Sequence, residues 1–174
     1  MLILEKMLKT VKVIDAFTSW GGKAISWLII PLVASLVYEV FATYFFHAPT
    51  IWAYDTTYML YGTMYMLGAA YTLLKGGHIR TDILYHKWSP KWQGIVDGCL
   101  YVLFFFPGII LFFFAAWEYA AHSWAIKEAT MVSPWRPIIY PFKTVIPVTL
   151  FLLLIQGVSE FLKCIHAAVK GEWP

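Results

Sequence analysis

The chain has 174 residues, of which 60% are hydrophobic, 19% are aromatic and only 13% are charged. A soluble domain has about 25% charged residues because its surface faces water, so this composition indicates a single membrane domain over residues 1–174. The net charge of +3 comes from scattered lysines, which excludes a nucleic-acid partner and favours contact with anionic membrane lipids.

The first predicted element is an amphipathic surface helix over residues 1–20. Its apolar residues follow the i, i+3, i+4 spacing of one helical face, while Glu5, Lys9 and Lys12 fall on the other side. This pattern is typical of a helix that lies on the inner membrane surface. A frayed tail is the alternative, whereas a cleaved signal peptide fits poorly because about twenty residues precede the first apolar run. The apolar residues are Leu4, Met7, Leu8, Val11 and Ile14.

Four apolar segments follow, each close to the roughly 20 residues that a membrane-crossing helix needs. Pro31, Pro107 and Pro147 lie near the middle of three of them and predict kinks, because proline removes a helical hydrogen bond. The sequence therefore predicts an all-α integral membrane protein with four transmembrane helices. The predicted spans cover residues 24–46, 54–75, 91–121 and 138–164.

The distribution of lysine and arginine predicts the orientation in the membrane. Ten of the 13 basic residues lie in the N-terminal segment, in the loop 75–92 or at the C-terminus. The other three are Lys127, Arg136 and Lys143, near the connection between the third and fourth spans. An even number of spans places both termini on one side. We therefore expect both termini and the loop 75–92 to face the cytoplasm of a bacterial cell, with the chain in the inner membrane.

Tryptophans near the ends of the spans indicate contact with the membrane interface, where indole rings lie at the level of the lipid headgroups. We predict that Trp52, Trp88, Trp92 and Trp135 anchor the chain in this way. A cage of aromatic rings around a ligand is the alternative.

The sequence has no sign of catalysis or of cofactor binding. Haem ligation needs histidines that face each other inside a helical bundle, whereas His47, His122 and His166 lie at span ends. Cys99 and Cys164 are far apart and form neither a redox pair nor a metal-binding pair. Phosphate-binding and hydrolase motifs are missing. We expect no enzyme activity, cofactor, metal site or substrate site.

Glu39 stands out because it lies inside the first span, where a charge costs about 2.5–3.5 kcal/mol on insertion scales. One interpretation is a proton or cation site in a self-sufficient four-helix exporter. The other is a structural glutamate that reaches towards the membrane surface or pairs with a neighbouring subunit. A membrane assembly factor without transport activity is a further alternative for the whole chain.

The loop after the second span carries the clearest motif. Gly77, His78, Arg80 and Asp82 form a Gly-His-x-Arg-x-Asp pattern that is followed by aliphatic residues. A tryptophan–proline loop precedes an aliphatic helix with a Gln-Gly pair within residues 134–162. With its four predicted spans and amphipathic first helix, the chain resembles the DctQ-like family, the small membrane subunits of tripartite ATP-independent periplasmic (TRAP) transporters.

The resemblance implies a function that composition does not show. In that family a periplasmic binding protein captures an organic acid, and a large permease subunit moves it inward with sodium. The small subunit binds the large one and enlarges its scaffold. The resemblance therefore implies two protein partners, the large permease subunit and the binding protein, and places the substrate and sodium sites in the large subunit.

The loop motif has three interpretations. Gly76 and Gly77 can end the second helix because glycine adopts the left-handed cap conformation. Arg80 and Asp82 are two residues apart and would not share a helical face, so each would bind a separate partner and orient the loop as a clamp. Direct contact with the large subunit and a ligand site are the alternatives.

Candidate residues for a partner interface come from two groups. Small residues of the second span allow a neighbouring helix to approach closely. Charged residues within or near the spans can pair with another subunit. The candidates are Gly62, Gly68, Ala69, Glu39, Asp97 and Arg136.

The clamp interpretation predicts the effect of Arg80→Ala. The variant should lower the yield of the complex with the large permease subunit, because the loop loses its orientation, and should leave substrate affinity unchanged. Co-purification and a substrate-binding assay measure the two quantities. An unchanged complex yield together with weaker substrate binding would contradict the assignment.

Overall fold

The computed structural model describes residues 2–77, Tyr85 and residues 88–174. Most of this part of the chain is helical, and its only extended pairing is an isolated bridge between Ala129 and Ile138. The elements are α1 (Leu2–Ser26), α2 (Ile29–Tyr44), α3 (Ala53–Leu74), α4 (Pro90–Leu100), a π-helical turn (Tyr101–Phe105), α5 (Phe106–Ala125) and α6 (Tyr140–Lys170).

The first helix is longer than the sequence predicts. It continues past residue 20, and a tight turn at Trp27 and Leu28 separates it from α2. Proline explains the position of this turn, because Pro31 has no N–H to donate to the carbonyl of Trp27. The N–H of Ile30 bonds to that carbonyl instead, at 3.1 Å, which is the narrower i→i−3 pattern.

Within the described residues, three helical segments are long and apolar enough to cross a membrane, so the expectation of four is corrected. α3 coincides with the second predicted span but is not one of the three. Its 22 residues are sufficient in length, yet five tyrosines and four threonines make its composition too polar. The predicted orientation assumed an even number of spans and stays a prediction. The three candidates are Glu5–Tyr44, Pro90–Ala125 and Tyr140–Lys170.

The segment Pro90–Ala125 is one long helix with a local irregularity. The π-helical turn Tyr101–Phe105 lies immediately before Pro107. Proline cannot continue the i→i−4 ladder and its ring crowds the preceding turn, so the backbone widens there and Phe106 bonds back to the carbonyl of Tyr101. At Pro107 the structure therefore has a π-helical turn where the sequence predicted a kink.

Helix α6 is the centre of the bundle. The helices α1, α3, α4 and α5 all pack against it, whereas α2 packs mainly against α3. Several residues at these contacts are small, and Gly94 of α4 lies directly against the backbone of α6. Small side chains let helices approach closely, and this increases the dispersion attraction between them. In a membrane this attraction matters because there is no water to drive association by the hydrophobic effect. Fully or nearly fully buried small residues are Ala53, Ala116, Ala120, Ser123, Ser159 and Ala167.

The contact at Gly94 generates a stability prediction. A Cβ at this position would lie 2.6 Å from the carbonyl oxygen of Cys164 and 2.8 Å from the backbone nitrogen of Ala168. Gly94→Ala must push α4 away from α6, and we expect the free energy of unfolding to fall by about 1–3 kcal/mol. Denaturation in mixed micelles measures this change.

Gly98, one turn further along α4, is the matched control. A Cβ there would meet its nearest atoms, in Cys164 and Phe161, at 3.8 Å, which is ordinary contact. Gly98→Ala should therefore leave stability unchanged or raise it slightly, because alanine favours helix. Equal effects of the two substitutions would contradict the close crossing of α4 and α6.

Candidate functional site

The loop motif lies mostly outside the described residues. Gly76 adopts a left-handed conformation with φ of 64°, and the N–H of Gly77 bonds to the carbonyl of Thr72 at 2.9 Å, so the two glycines end α3. His78, Arg80 and Asp82 are outside the described part of the chain. The clamp therefore stays a prediction.

Glu39 acts as a tie between α2 and the connection that follows it. Its carboxylate accepts hydrogen bonds from the hydroxyl of Thr43 at 3.1 Å, from the backbone N–H of Thr50 at 3.2 Å and from the hydroxyl of Thr50. The hydroxyl of Thr50 also accepts from the N–H of Ala53, at the start of α3. These bonds account for a carboxylate near the end of α2 without a transported ion.

The connection 126–139 folds over the same end of the bundle. The N–H of Thr130 bonds to the carbonyl of Pro137 at 3.0 Å, and the N–H of Ile139 bonds to the carbonyl of Glu128 at 3.0 Å. The hydroxyl of Ser133 donates to the buried carboxylate of Asp55 in the first turn of α3. The two connections 45–52 and 126–139 therefore form one ordered end, which we call the capped end.

An ion pair joins α5, the connection 126–139 and α6 at the capped end. The ammonium of Lys143 lies 2.5 Å from the carboxylate of Glu128, which also accepts from the hydroxyl of Ser123 at 2.7 Å. The hydrogen bond from Lys143 and the one from Ser123 hold the pKa of Glu128 below its usual value. The same ammonium lies 4.1 Å from the ring centroid of Tyr119. The carboxylate is thus ionised at neutral pH and ties the start of α6 to the end of α5.

A second polar network connects α1 to α6 inside the bundle. The carboxylate of Asp15 accepts from Ser159 at 2.6 Å and from Gln156 at 3.0 Å, and it lies 2.8 Å from the ammonium of Lys163. The same ammonium lies 2.7 Å from the carboxylate of Glu160. Gln156 and Ser159 are completely buried. We call Asp15, Gln156, Ser159, Glu160 and Lys163 the α1–α6 network.

The α1–α6 network was not predicted from the sequence. Asp15 belongs to the helix that was expected to lie on the membrane surface, and Gln156 follows an apolar run. A usable signal was present on α6, because Gln156, Ser159, Glu160 and Lys163 recur at three- and four-residue spacing and share one helical face. A polar face on an apolar helix requires a partner inside the bundle.

Asp97 is held at the opposite end of the bundle. Its carboxylate accepts from the hydroxyl of Tyr85 at 2.6 Å, close to the loop motif. Gln93, one turn earlier in α4, donates to the carbonyl of Tyr85 at 3.0 Å and accepts from the indole N–H of Trp173 at 3.1 Å. Asp97 therefore orders the region that leads from the motif into α4, and its role in binding a partner stays a prediction.

The remaining candidate residues fall in different environments. Gly62 faces the ring of Phe142, since a Cβ there would lie 2.8 Å from its Cζ, whereas Gly68 has no atom of another residue near its missing side chain. Ala69 is partly buried. Arg136 is exposed and has a left-handed φ of 48°. The residues predicted as membrane anchors are partly or well exposed at helix ends or in connections: Trp52, Trp88, Trp92 and Trp135.

The polar groups described above bind each other and leave no cluster with the composition of a reaction centre. Among residues 2–77, 85 and 88–174, no three His, Cys, Asp or Glu side chains come together in a way that could hold a metal ion. The arrangement joins helices and orders connections.

The fold, with its long apolar helices, is that of an all-α membrane protein. Comparison with protein families matches residues 32–167 to the DctQ component of tripartite ATP-independent periplasmic transporters. This match covers most of the chain, so the chain belongs to the DctQ family. It is a transporter component and not an enzyme. A comparison with curated proteins gave no match.

The α1–α6 network generates a prediction for Lys163→Met. The substitution leaves the carboxylates of Asp15 and Glu160 close together without their shared cation, so we expect the free energy of unfolding to fall by about 2–3 kcal/mol. Lys170→Met, at the exposed end of the same helix, is the control and should change stability little. Denaturation in mixed micelles compares the two variants, and equal stabilities would show that the network contributes nothing.

Proposed function

We propose that the chain is the small scaffold subunit of a sodium-driven, binding-protein-dependent importer of organic acids with a carboxylate group. The observation that carries this proposal is the match of residues 32–167 to the DctQ component of the tripartite transporters. In the proposed assembly the large permease subunit moves substrate and sodium, and a periplasmic binding protein delivers the substrate. This chain binds the large subunit in the bacterial inner membrane.

The arrangement of polar side chains supports a scaffold rather than a transport path. Asp15, Glu39 and Glu128 each accept hydrogen bonds from side chains on a different element or turn. A carboxylate that binds and releases a proton or cation during transport must be free to change partners, whereas these are held by two or more donors. The role of Glu39 is therefore structural, and the exporter hypothesis has no support in its surroundings.

The proposed orientation requires α3 to cross the membrane as well, although it is not one of the three candidate spans. It places both termini and the loop 75–92 in the cytoplasm, where ten of the 13 basic residues would lie. The capped end, with its connections 45–52 and 126–139, would then face the periplasm and the binding protein. Exposed apolar side chains at the tip of the connection 126–139, Met131 and Val132, suit contact with a protein there.

Reconstitution tests the proposed function. Tagged chain is co-expressed with a large permease subunit of a tripartite transporter from the same organism, purified in mild detergent, and placed in liposomes with an inward sodium gradient and the binding protein outside. We expect co-purification and sodium-dependent uptake of a carboxylate substrate, and loss of uptake when this chain is omitted. Thiol labelling of a cysteine introduced at Lys170 reports the orientation in the same vesicles.

Two outcomes would contradict the proposal. One is failure of the wild-type chain to retain the large subunit during purification. The other is full uptake by the large subunit and the binding protein alone.

A further inference from the structure

The exposed face of α3 differs from the other exposed helix faces. On α2 and α5 most outward side chains are hydrocarbon, for example Val33 on α2 and Leu111 on α5. Helix α2 also exposes Tyr38 and Tyr44, but these are six residues apart and form no stripe along the helix. On α3 the exposed residues include four tyrosines, followed along the same face by a glycine and a threonine. We call this set the tyrosine seam: Tyr54, Tyr58, Tyr61, Tyr65, Gly68 and Thr72.

The spacing of the tyrosine seam is that of a helix-packing surface. Successive members are separated by four, three, four, three and four residues, which is a repeat of 3.5 residues. This repeat keeps one stripe of an α-helix against a neighbouring helix over its whole length. Gly68 within the stripe has no neighbouring atom near its missing side chain, so a helix backbone can approach there.

Tyr61 and Tyr65 lie further from the capped end, and contact with the membrane interface does not explain them. Tyr54 and Tyr58 lie near the capped end, where tyrosine is common. Tyr65 lies ten residues beyond Asp55, which is about 15 Å further along the helix axis. At this depth α3 runs beside the candidate span α6, since Gly62 contacts Phe142 and Leu67 lines a cavity together with Leu152. Tyr61 and Tyr65 are therefore level with the apolar part of α6.

Lipid would be a poor neighbour for these two residues. Tyr61 and Tyr65 are 55% and 74% exposed and stack on each other at 6.1 Å, but none of the described residues supplies a hydrogen-bond partner to either hydroxyl. A hydroxyl in hydrocarbon without a partner is unfavourable, because no water is available to replace the bond. The face requires a neighbour that is apolar enough to pack and still offers polar groups, which a protein helix does.

We propose that a transmembrane helix of the large permease subunit packs along the tyrosine seam, with polar groups of that helix bonded to the hydroxyls of Tyr61 and Tyr65. The identity of this partner rests on the proposed function, since the matched family is one component of a tripartite assembly. The helical form of the partner rests on the spacing and on the open position at Gly68.

A pair of glycine substitutions tests the seam. Gly68→Leu adds a side chain at a position where a Cβ would have no neighbour within 4 Å among the described residues, so it should reduce co-purification of the large subunit by about tenfold while the chain itself remains folded. Gly108→Leu is the matched control, because Gly108 on α5 is equally open and lies on a hydrocarbon face. Its complex yield should equal that of the wild type.

A second pair removes only hydroxyl groups. The double variant Tyr61→Phe, Tyr65→Phe keeps both rings and should weaken the complex by about fivefold. The control pair Tyr38→Phe, Tyr44→Phe removes two exposed hydroxyls from α2 and should have no effect. Photo-cross-linking from p-benzoylphenylalanine at position 65 should then capture the large subunit.

The results of these experiments distinguish a failure of the proposed contact at the tyrosine seam from a failure of the proposed function. If the wild type and Gly68→Leu retain the large subunit equally, the seam is overturned and the proposed function stands. If the wild type fails to retain it, the proposed function and the identity of the partner fall together. Cross-links from position 65 to a second copy of this chain, or to lipid alone, overturn the proposal as well.

Discussion

The whole structure depends on the satisfaction of polar groups inside an apolar bundle. Water is scarce between these helices, so each buried carboxylate, ammonium or hydroxyl needs a partner from the chain. Helix α6 supplies most of these partners: Gln156, Ser159 and Lys163 bind Asp15 of α1, and Lys143 binds Glu128 of the preceding connection. The bonds are few, but each links two elements that apolar contact alone would leave free to slide or rotate.

The small residues and the polar ties act together. Gly94 and Ala167 allow the backbones of α4 and α6 to approach, and this close approach limits how the two helices can shift. The polar ties then select one arrangement among those that apolar packing allows, since a rotation of α6 would take Lys163 and Ser159 away from Asp15. A rigid bundle of this kind suits a subunit whose proposed task is to hold another protein in place.

The tyrosine seam is one exception to this rule, beside the buried hydroxyls of Thr57 and Thr149, which also have no hydrogen-bond partner among the described residues. The hydroxyls of Tyr61 and Tyr65 have no partner among the described residues, and α3 is correspondingly too polar to count among the three candidate spans. The incorrect count of four and the exposed seam have one cause, which is that tyrosine and threonine occupy positions where a lipid-facing helix would carry leucine or valine. The polar composition of α3 is the mark of a helix that needs a protein neighbour.

Local sequence and composition determined a large part of this protein. The low charge and the long apolar segments predicted an all-α membrane protein. Pro31 marked the break between α1 and α2, Pro107 marked the π-helical turn, and the Gly76–Gly77 pair marked the end of α3. These effects could be predicted because each depends only on neighbouring residues. The loop motif and the last helix also pointed to the DctQ family, which the match over residues 32–167 confirms.

Tertiary structure alone decided which polar residues meet and which helix face stays open. Asp15 and Ser159 are 144 positions apart in sequence, so no local pattern could pair them. Gly62 and Gly68 looked equivalent, yet among the described residues only Gly62 lies against a side chain of another helix. Helical periodicity tells which residues share a face, but only the packing of all helices together determines whether that face is covered.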